Sequence, residues 1–287
     1  MEDHSWVIGD FIWTAFDYIG EASIGWCGYP LDKRIFPWNH ANCGDLNLSG
    51  ERRPQSYLRE TLWSDAPVSH IVVTPPVPSF PLNPNKADWS VWDFPDVVDH
   101  WNFPGYEGKK MTVSVYSNCE QVELFLNGES LGKQENTADK KNTLVWEVPY
   151  AHGILKAVSY NKGGEVGTAT LESAGKVEKI RLSADRTEIV ADGNDLSYIT
   201  LELVDSKGIR NQLAEELVEF SIAGDATIEG VGNANPMSIE SFVANSRKTW
   251  RGSNLLVVRS GKSSGRIIVT AKVKALPVAS ITITQKK

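Results

Sequence analysis

The sequence has no surplus of positive charge, few cysteines and no long apolar run. Lys and Arg number 29 against 36 Asp and Glu, a net charge of −7. No basic face stands out, so no nucleic-acid partner is expected. Three cysteines, Cys27, Cys43 and Cys119, are too few and too scattered for a disulfide framework or a zinc site. They read as buried free thiols, with a Cys27–Cys43 contact in a folded loop as the alternative. No stretch approaches the ~20 uninterrupted apolar residues of a membrane helix, so no span is expected. Met1–Ser5 carries neither a basic segment nor an apolar core, unlike a signal peptide. His4, His40, His70, His100 and His152 are dispersed without metal-ligand spacing, and no metal or other cofactor is expected.

What is present is an ordinary globular composition, 41% apolar over 287 residues, enough for two or three domains. Acidic charge is concentrated early: 5 basic against 10 acidic residues in 1–66, 8 against 13 in 67–175, then 16 against 13 in 176–287. Tryptophan follows the same gradient. Five of ten (Trp6, Trp13, Trp26, Trp38 and Trp63) fall in the first 63 residues and only Trp250 follows residue 146. A segment so rich in tryptophan suits a core or a sugar-binding cleft.

Val7–Trp13, VIGDFIW, reads as a short strand buried on both faces, in which Asp10 would be a paired carboxylate. Residues 14–50 hold seven Gly or Pro positions and no sustained period, which marks a long and therefore functional loop. Pro54–Trp63 reads as a helix whose Leu58, Thr61 and Leu62 form one buried stripe. Together these make one βα unit, which cannot bury its faces alone. From Asp65 onward the pattern is all-β. Strands are expected at Val68–Val73, Met111–Tyr116, Gln121–Leu126, Leu144–Val148, Gly153–Tyr160 and Glu165–Leu171, with Asn127–Gly128 as a hairpin turn. Strands at 8–12 residue spacing indicate an immunoglobulin-like sandwich. A boundary near Ser173–Val177 precedes a second set at Lys179–Ser183, Glu188–Ala191, Tyr198–Val204, Leu217–Ile222, Leu255–Arg259, Gly265–Lys272 and Ser280–Thr284. Ile199, Leu201 and Leu203 are expected to point inward.

The motif VIGDFIWTAFDYIGEASIGW, Val7 to Trp26, resembles the last barrel strand and following loop of glycoside hydrolase family 2. Phe36–Pro37–Trp38, Cys43–Gly44–Asp45 and Arg53–Pro54–Gln55–Ser56–Tyr57 continue it in the family's order. His100–Gly105 and Glu123–Gly132 resemble the sandwich after the barrel, and Ala191–Asp195 and Gly230–Asn233 the terminal bacterial immunoglobulin-like domain. The fold expected is therefore mainly β: two immunoglobulin-like β-sandwiches, 67–175 and 176–287, preceded by the last βα unit of a (β/α)8 barrel in 1–66. The resemblance implies a C-terminal fragment of a retaining exo-glycosidase of bacterial type, β-galactosidase first, acting on a carbohydrate and partnered by the rest of the barrel upstream. A periplasmic or extracellular setting would be compatible with it.

Retaining glycosidases place two carboxyls about 5–5.5 Å apart, one as nucleophile and one as acid/base. The family's acid/base follows Asn in an Asn-Glu pair, absent from this sequence, and the nucleophile belongs to a strand before residue 1. Neither catalytic glutamate is expected here, and the chain alone should be inactive. One wall of the site is implied instead. Trp13, at the C-terminal end of the eighth strand, would be the aromatic platform under the sugar, core packing being the competing reading. Asp17 matches the family's Trp-x-x-x-Asp spacing and would either accept sugar hydroxyls or brace the loop. Glu21 would tie the loop down or touch substrate, and His40 could reach the rim. Trp89, Trp92 and Trp101 read as packing, with a carbohydrate patch as the alternative. The rival to an enzyme is a binding or adhesin-like module. Such a module has no use for the first 65 residues.

Overall fold

The computed structural model describes residues 4–9, 11–22, 36–80 and 95–287. The first segment forms a two-stranded ribbon, β1 (Tyr18–Ile19) and β2 (His40–Ala41), then a 3-10 turn at Pro54–Ser56 leading into α1 (Tyr57–Trp63). Two stretches depart from expectation. The described residues of Val7–Trp13 form no strand, and Ile8 and Phe11 are fully exposed. A barrel strand takes its backbone partners from strands on either side, and the described residues supply none to this run. In α1 only Thr61 is buried, Leu58 is half-buried and Leu62 is 60% exposed. Helix periodicity identified the stripe, but only part of it meets a neighbour. Asp10, Trp26, Cys27, Trp89 and Trp92 lie outside the described residues.

The first sandwich packs the sheet β3 (Ser69–Val73), β4 (Lys110–Ser117) and β7 (Thr143–Pro149), ordered β3-β4-β7, against a second sheet. That sheet holds β5 (Gln121–Leu126), β6 (Glu129–Glu135), β8 (Ile154–Asn161) and β9 (Gly164–Glu172), ordered β6-β5-β8-β9. All pairings are antiparallel. Asn127 and Gly128, at φ 52° and 87°, make the two-residue turn between β5 and β6, as a type I′ hairpin requires. Alternation decides what is inside: Val113, Val115, Val122, Leu124, Leu144 and Leu155 are fully buried.

The second sandwich pairs β10 (Lys179–Ala184), β12 (Leu196–Val204), β14 (Ala226–Gly232) and β16 (Ser253–Ser260) in the order β10-β12-β16-β14. Its other sheet holds β11 (Glu188–Val190), β13 (Leu217–Ala223), β15 (Ser246–Lys248), β17 (Gly265–Val273) and β18 (Ala279–Lys286), ordered β11-β18-β17-β13-β15. Ile199, Leu201 and Leu203 are fully buried and meet Leu256, Val258 and Ile267 in an aliphatic core. β14 and β15 do not stand out in the sequence; the structure adds them to the expected set.

The junction between the sandwiches is clamped rather than a free linker. Ser173 and Ala174 are buried, Ala174 N donates to Asn102 Oδ1 at 2.6 Å, and Gly175 N donates to Asp205 Oδ2 at 2.8 Å. Asn211 Nδ2 closes the clamp on Gly175 O at 2.9 Å. The first segment is held as well: Asn142 Nδ2 donates to Thr61 Oγ1 at 3.1 Å, and Asn118 Nδ2 to Ser64 O at 3.0 Å.

Candidate functional site

The three candidate residues sit around the β1–β2 ribbon, where Tyr18 faces Ala41 and Ile19 faces His40. Trp13 precedes the ribbon and is 67% exposed. Its Nε1 donates to Tyr18 Oη at 3.2 Å, and the two rings meet edge-on with centroids 6.4 Å apart. Tyr18 Oη in turn donates to the Glu21 carboxylate, and that bond raises the Tyr18 pKa above its ordinary value. Glu21 is exposed with a left-handed backbone, φ 40°. Trp13, Tyr18 and Glu21 thus form one short chain of hydrogen bonds, and the indole is oriented even though it is exposed.

Asp17, directly before β1, is buried. Its Oδ1 accepts from Gly44 N at 2.7 Å and from Arg53 Nη1 at 3.2 Å. The same Arg53 nitrogen donates to Asn42 O at 2.8 Å and Gly44 O at 3.0 Å. One guanidinium therefore ties together the Asp17 turn, the 42–44 strand extension and the start of the helix. Gly44 is required by this close approach: a Cβ there would sit 2.2 Å from Asp17 N. Asp45 pairs with Arg59 and fixes α1 to the same loop, with Arg59 Nε to Asp45 Oδ2 at 2.9 Å.

Burial outweighs pairing at this cluster. The Asp17 carboxyl is pushed up to about 6, mainly by burial, with Arg53 pulling the other way. Burial lowers the Arg53 pKa, although Asp17 opposes it; a guanidinium still stays charged. A carboxyl whose folded pKa is raised contributes stability below its unfolded value near 3.8 and loses it as pH rises through about 6. Asp17→Asn keeps the acceptor for Gly44 and removes that titration. The melting temperature of the native chain is therefore expected to fall relative to Asp17→Asn between pH 4 and 7, as read by paired thermal melts. Parallel curves across that range would show that Asp17 does not titrate there.

His40 is buried instead of reaching a rim, 1% exposed, with burial as the first cause holding its pKa down at about 4. Its Nδ1 lies 3.0 Å from Asn39 Oδ1. Cys43 and Cys119 are buried free thiols. Trp101 is fully buried in the first sandwich, which rules out its membership of a carbohydrate patch. Among the described residues, no group of three or more His, Cys, Asp or Glu could hold a metal. Sequence reading missed Tyr18, Asn39 and Arg53 as site residues. Arg53 carried one usable signal, a charged residue directly before a helix-starting proline.

Comparisons with known proteins agree with this architecture. Residues 180–282 match the family described as Glycoside hydrolase family 2 C-terminal domain 5, and residues 108–167 match a domain of unknown function, DUF4982. A solved structure of a glycosyl hydrolase family 2 member from Bacteroides cellulosilyticus superposes with a TM-score of 0.97 at 99% identity, over 100% of this chain and 37% of that one. The chain belongs to glycoside hydrolase family 2. It is a C-terminal portion: it matches the beta-galactosidase BoGH2A of Bacteroides ovatus at 31% identity over its whole length but covers 29% of that protein. A putative beta-glucuronidase of Formosa agariphila is 29% identical over 83% of the chain and is covered over 20% of its length. Within this family 2 region, the ribbon is where the exposed indole, the buried ion pair and the helix start converge.

Proposed function

We propose that this chain supplies one wall of the active site of a retaining exo-glycosidase, β-galactosidase first, and that both catalytic glutamates lie in the rest of the barrel. Trp13 is the platform beneath the sugar ring. An apolar aromatic face suits the C–H faces of a pyranose, and a ring held in one orientation places the sugar without further reorganisation. Glu21 acts through Tyr18 on that orientation. Asp17 braces the loop, because both protein groups on its Oδ1 belong to the ribbon and the helix start. The observation that carries the reading is the exposed indole fixed by hydrogen bonds on a ribbon anchored by a buried ion pair. The beta-galactosidase relative supports the choice of sugar, and the putative beta-glucuronidase makes glucuronides the necessary control.

The test compares the full-length protein with residues 1–287 alone on aryl β-galactosides, β-glucuronides and β-mannosides. Covalent glycoside hydrolysis needs a nucleophilic carboxylate and a positioned acid. The full-length protein is expected to cleave at least the galactoside, and the isolated chain none of them. Turnover by the chain alone that survives replacement of Asp17 and Glu21 would overturn the assignment of the chemistry to the upstream barrel.

A further inference from the structure

We propose that Asn39 is a positioning residue through which the terminal sandwich holds the Trp13 platform, an inference that rests on the platform reading above. Asn39 directly precedes β2 and is bonded on both sides. Toward the sandwich, its N donates to Pro236 O at 2.8 Å and its Nδ2 to Ser238 O at 2.7 Å. Toward the ribbon, its O accepts from Gly20 N at 3.2 Å. Because Nδ2 is committed to a carbonyl, Oδ1 is the acceptor facing His40, so His40 Nδ1 carries the proton across their 3.0 Å contact. The side chain therefore has one orientation.

The acceptors on the sandwich are themselves held. Arg247 is 1% exposed, donates to Val231 O and Ser238 Oγ, each at 3.1 Å, and lies 4.2 Å from the centre of the Phe242 ring. Asn233 Nδ2 donates to Lys248 O at 2.9 Å, closing the same loop onto β15. On the ribbon side the path to the platform is short. β2 pairs with β1, β1 carries Tyr18, and Tyr18 takes the Trp13 indole. Asp45 N to Thr14 O at 3.1 Å holds the residue after Trp13 to the same extension. A sandwich nearly 200 residues away in sequence thus ends its contacts a short step from the platform.

Other contacts fasten the sandwich independently of Asn39. Arg210 Nη1 pairs with Glu51 Oε1 at 2.5 Å. The Trp38, Phe80 and Trp250 rings run in contact, with centroids 4.9 and 6.2 Å apart. Loss of the Asn39 side chain removes its contacts to Ser238 O and His40 but keeps the main-chain bonds to Pro236 and Gly20, so the domains should stay docked while the residues entering β2 loosen.

The experiment is a double-mutant cycle in the full-length protein, with kcat and KM on an aryl β-galactoside and melting curves for each variant. Asn39→Ala is expected to lower kcat/KM by roughly tenfold, mainly in kcat, with little change in Tm. Added to Trp13→Ala, it should cost less than about twofold more, since a residue acting through Trp13 has nothing left to position. Asn39→Asp, which sets an acceptor oxygen against the Ser238 carbonyl and so abolishes that bond, should behave alike and serves if the alanine variant folds poorly. A full tenfold loss persisting in the Trp13→Ala background, unchanged kcat/KM in both Asn39 variants, or a loss carried entirely by a smaller folded fraction overturns the inference. If Trp13→Ala itself leaves kcat/KM unchanged, the platform reading fails instead.

Discussion

Replacing Trp13 with alanine in the full-length protein is expected to lower kcat/KM about 100-fold with little change in melting temperature. Within residues 1–287 the side chain is 67% exposed and gives one hydrogen bond, to Tyr18, so its removal opens no cavity in this region. On the platform reading, its loss acts on the substrate. An aromatic contact is worth ~0.5–1.5 kcal/mol beyond burial, and a sugar without its platform also loses alignment with the reacting carboxylates, which costs more. Each ~1.4 kcal/mol is a factor of ten, so two such effects reach about 100-fold. Steady-state kinetics on an aryl β-galactoside, normalised to folded protein, read the change. If the variant melts early and its folded fraction turns over normally, Trp13 packs against the barrel and is not a platform.

The sandwiches were legible because their strands alternate. Ile199, Leu201 and Leu203 read as inward from the period alone, and all three are fully buried. Where alternation is broken the signal disappears. β14 contains Gly230 and Gly232 and shifts register between Ile228 and Gly230, and glycine and bulges erase the pattern. β15 is three residues long with a buried Arg247 at its centre, so charge stands where an apolar residue would be sought. Val7–Trp13 shows the converse error. An apolar run signals a buried strand only where neighbours bury it, and its described residues lie open. At the site, resemblance reached Trp13, Asp17 and Glu21, because their motif is local. Their partners were out of reach: Arg53 is 36 residues from Asp17, and Asn39 is 199 from Ser238. No local period reports contacts of that separation. The clamped junction was missed for the same reason, since Asn102 meets Ala174 across 72 residues.

Trp101→Ala is expected to do the reverse of Trp13→Ala, lowering stability by ~3–5 kcal/mol while kcat/KM of the folded protein stays within about threefold. Trp101 is fully buried, with edge-on contacts to Phe103 and Tyr150 at 6.0 and 5.0 Å. Truncation leaves a cavity the size of an indole between two rings that cannot both collapse into it. It also removes the donor from Ala151 O, now bonded to Nε1 at 2.8 Å, and a carbonyl left without a partner adds to the cost. The junction to the second sandwich should be spared directly: Ser173 bonds the main-chain Trp101 O, which alanine keeps, and Ala174 is held by the adjacent Asn102. Denaturant titration of residues 1–287 should show a lower midpoint for the variant, with the first sandwich unfolding before the second. An unchanged midpoint would mean that Trp101 is dispensable to the core, and the contrast between an exposed tryptophan that acts on substrate and a buried one that acts on stability would fail.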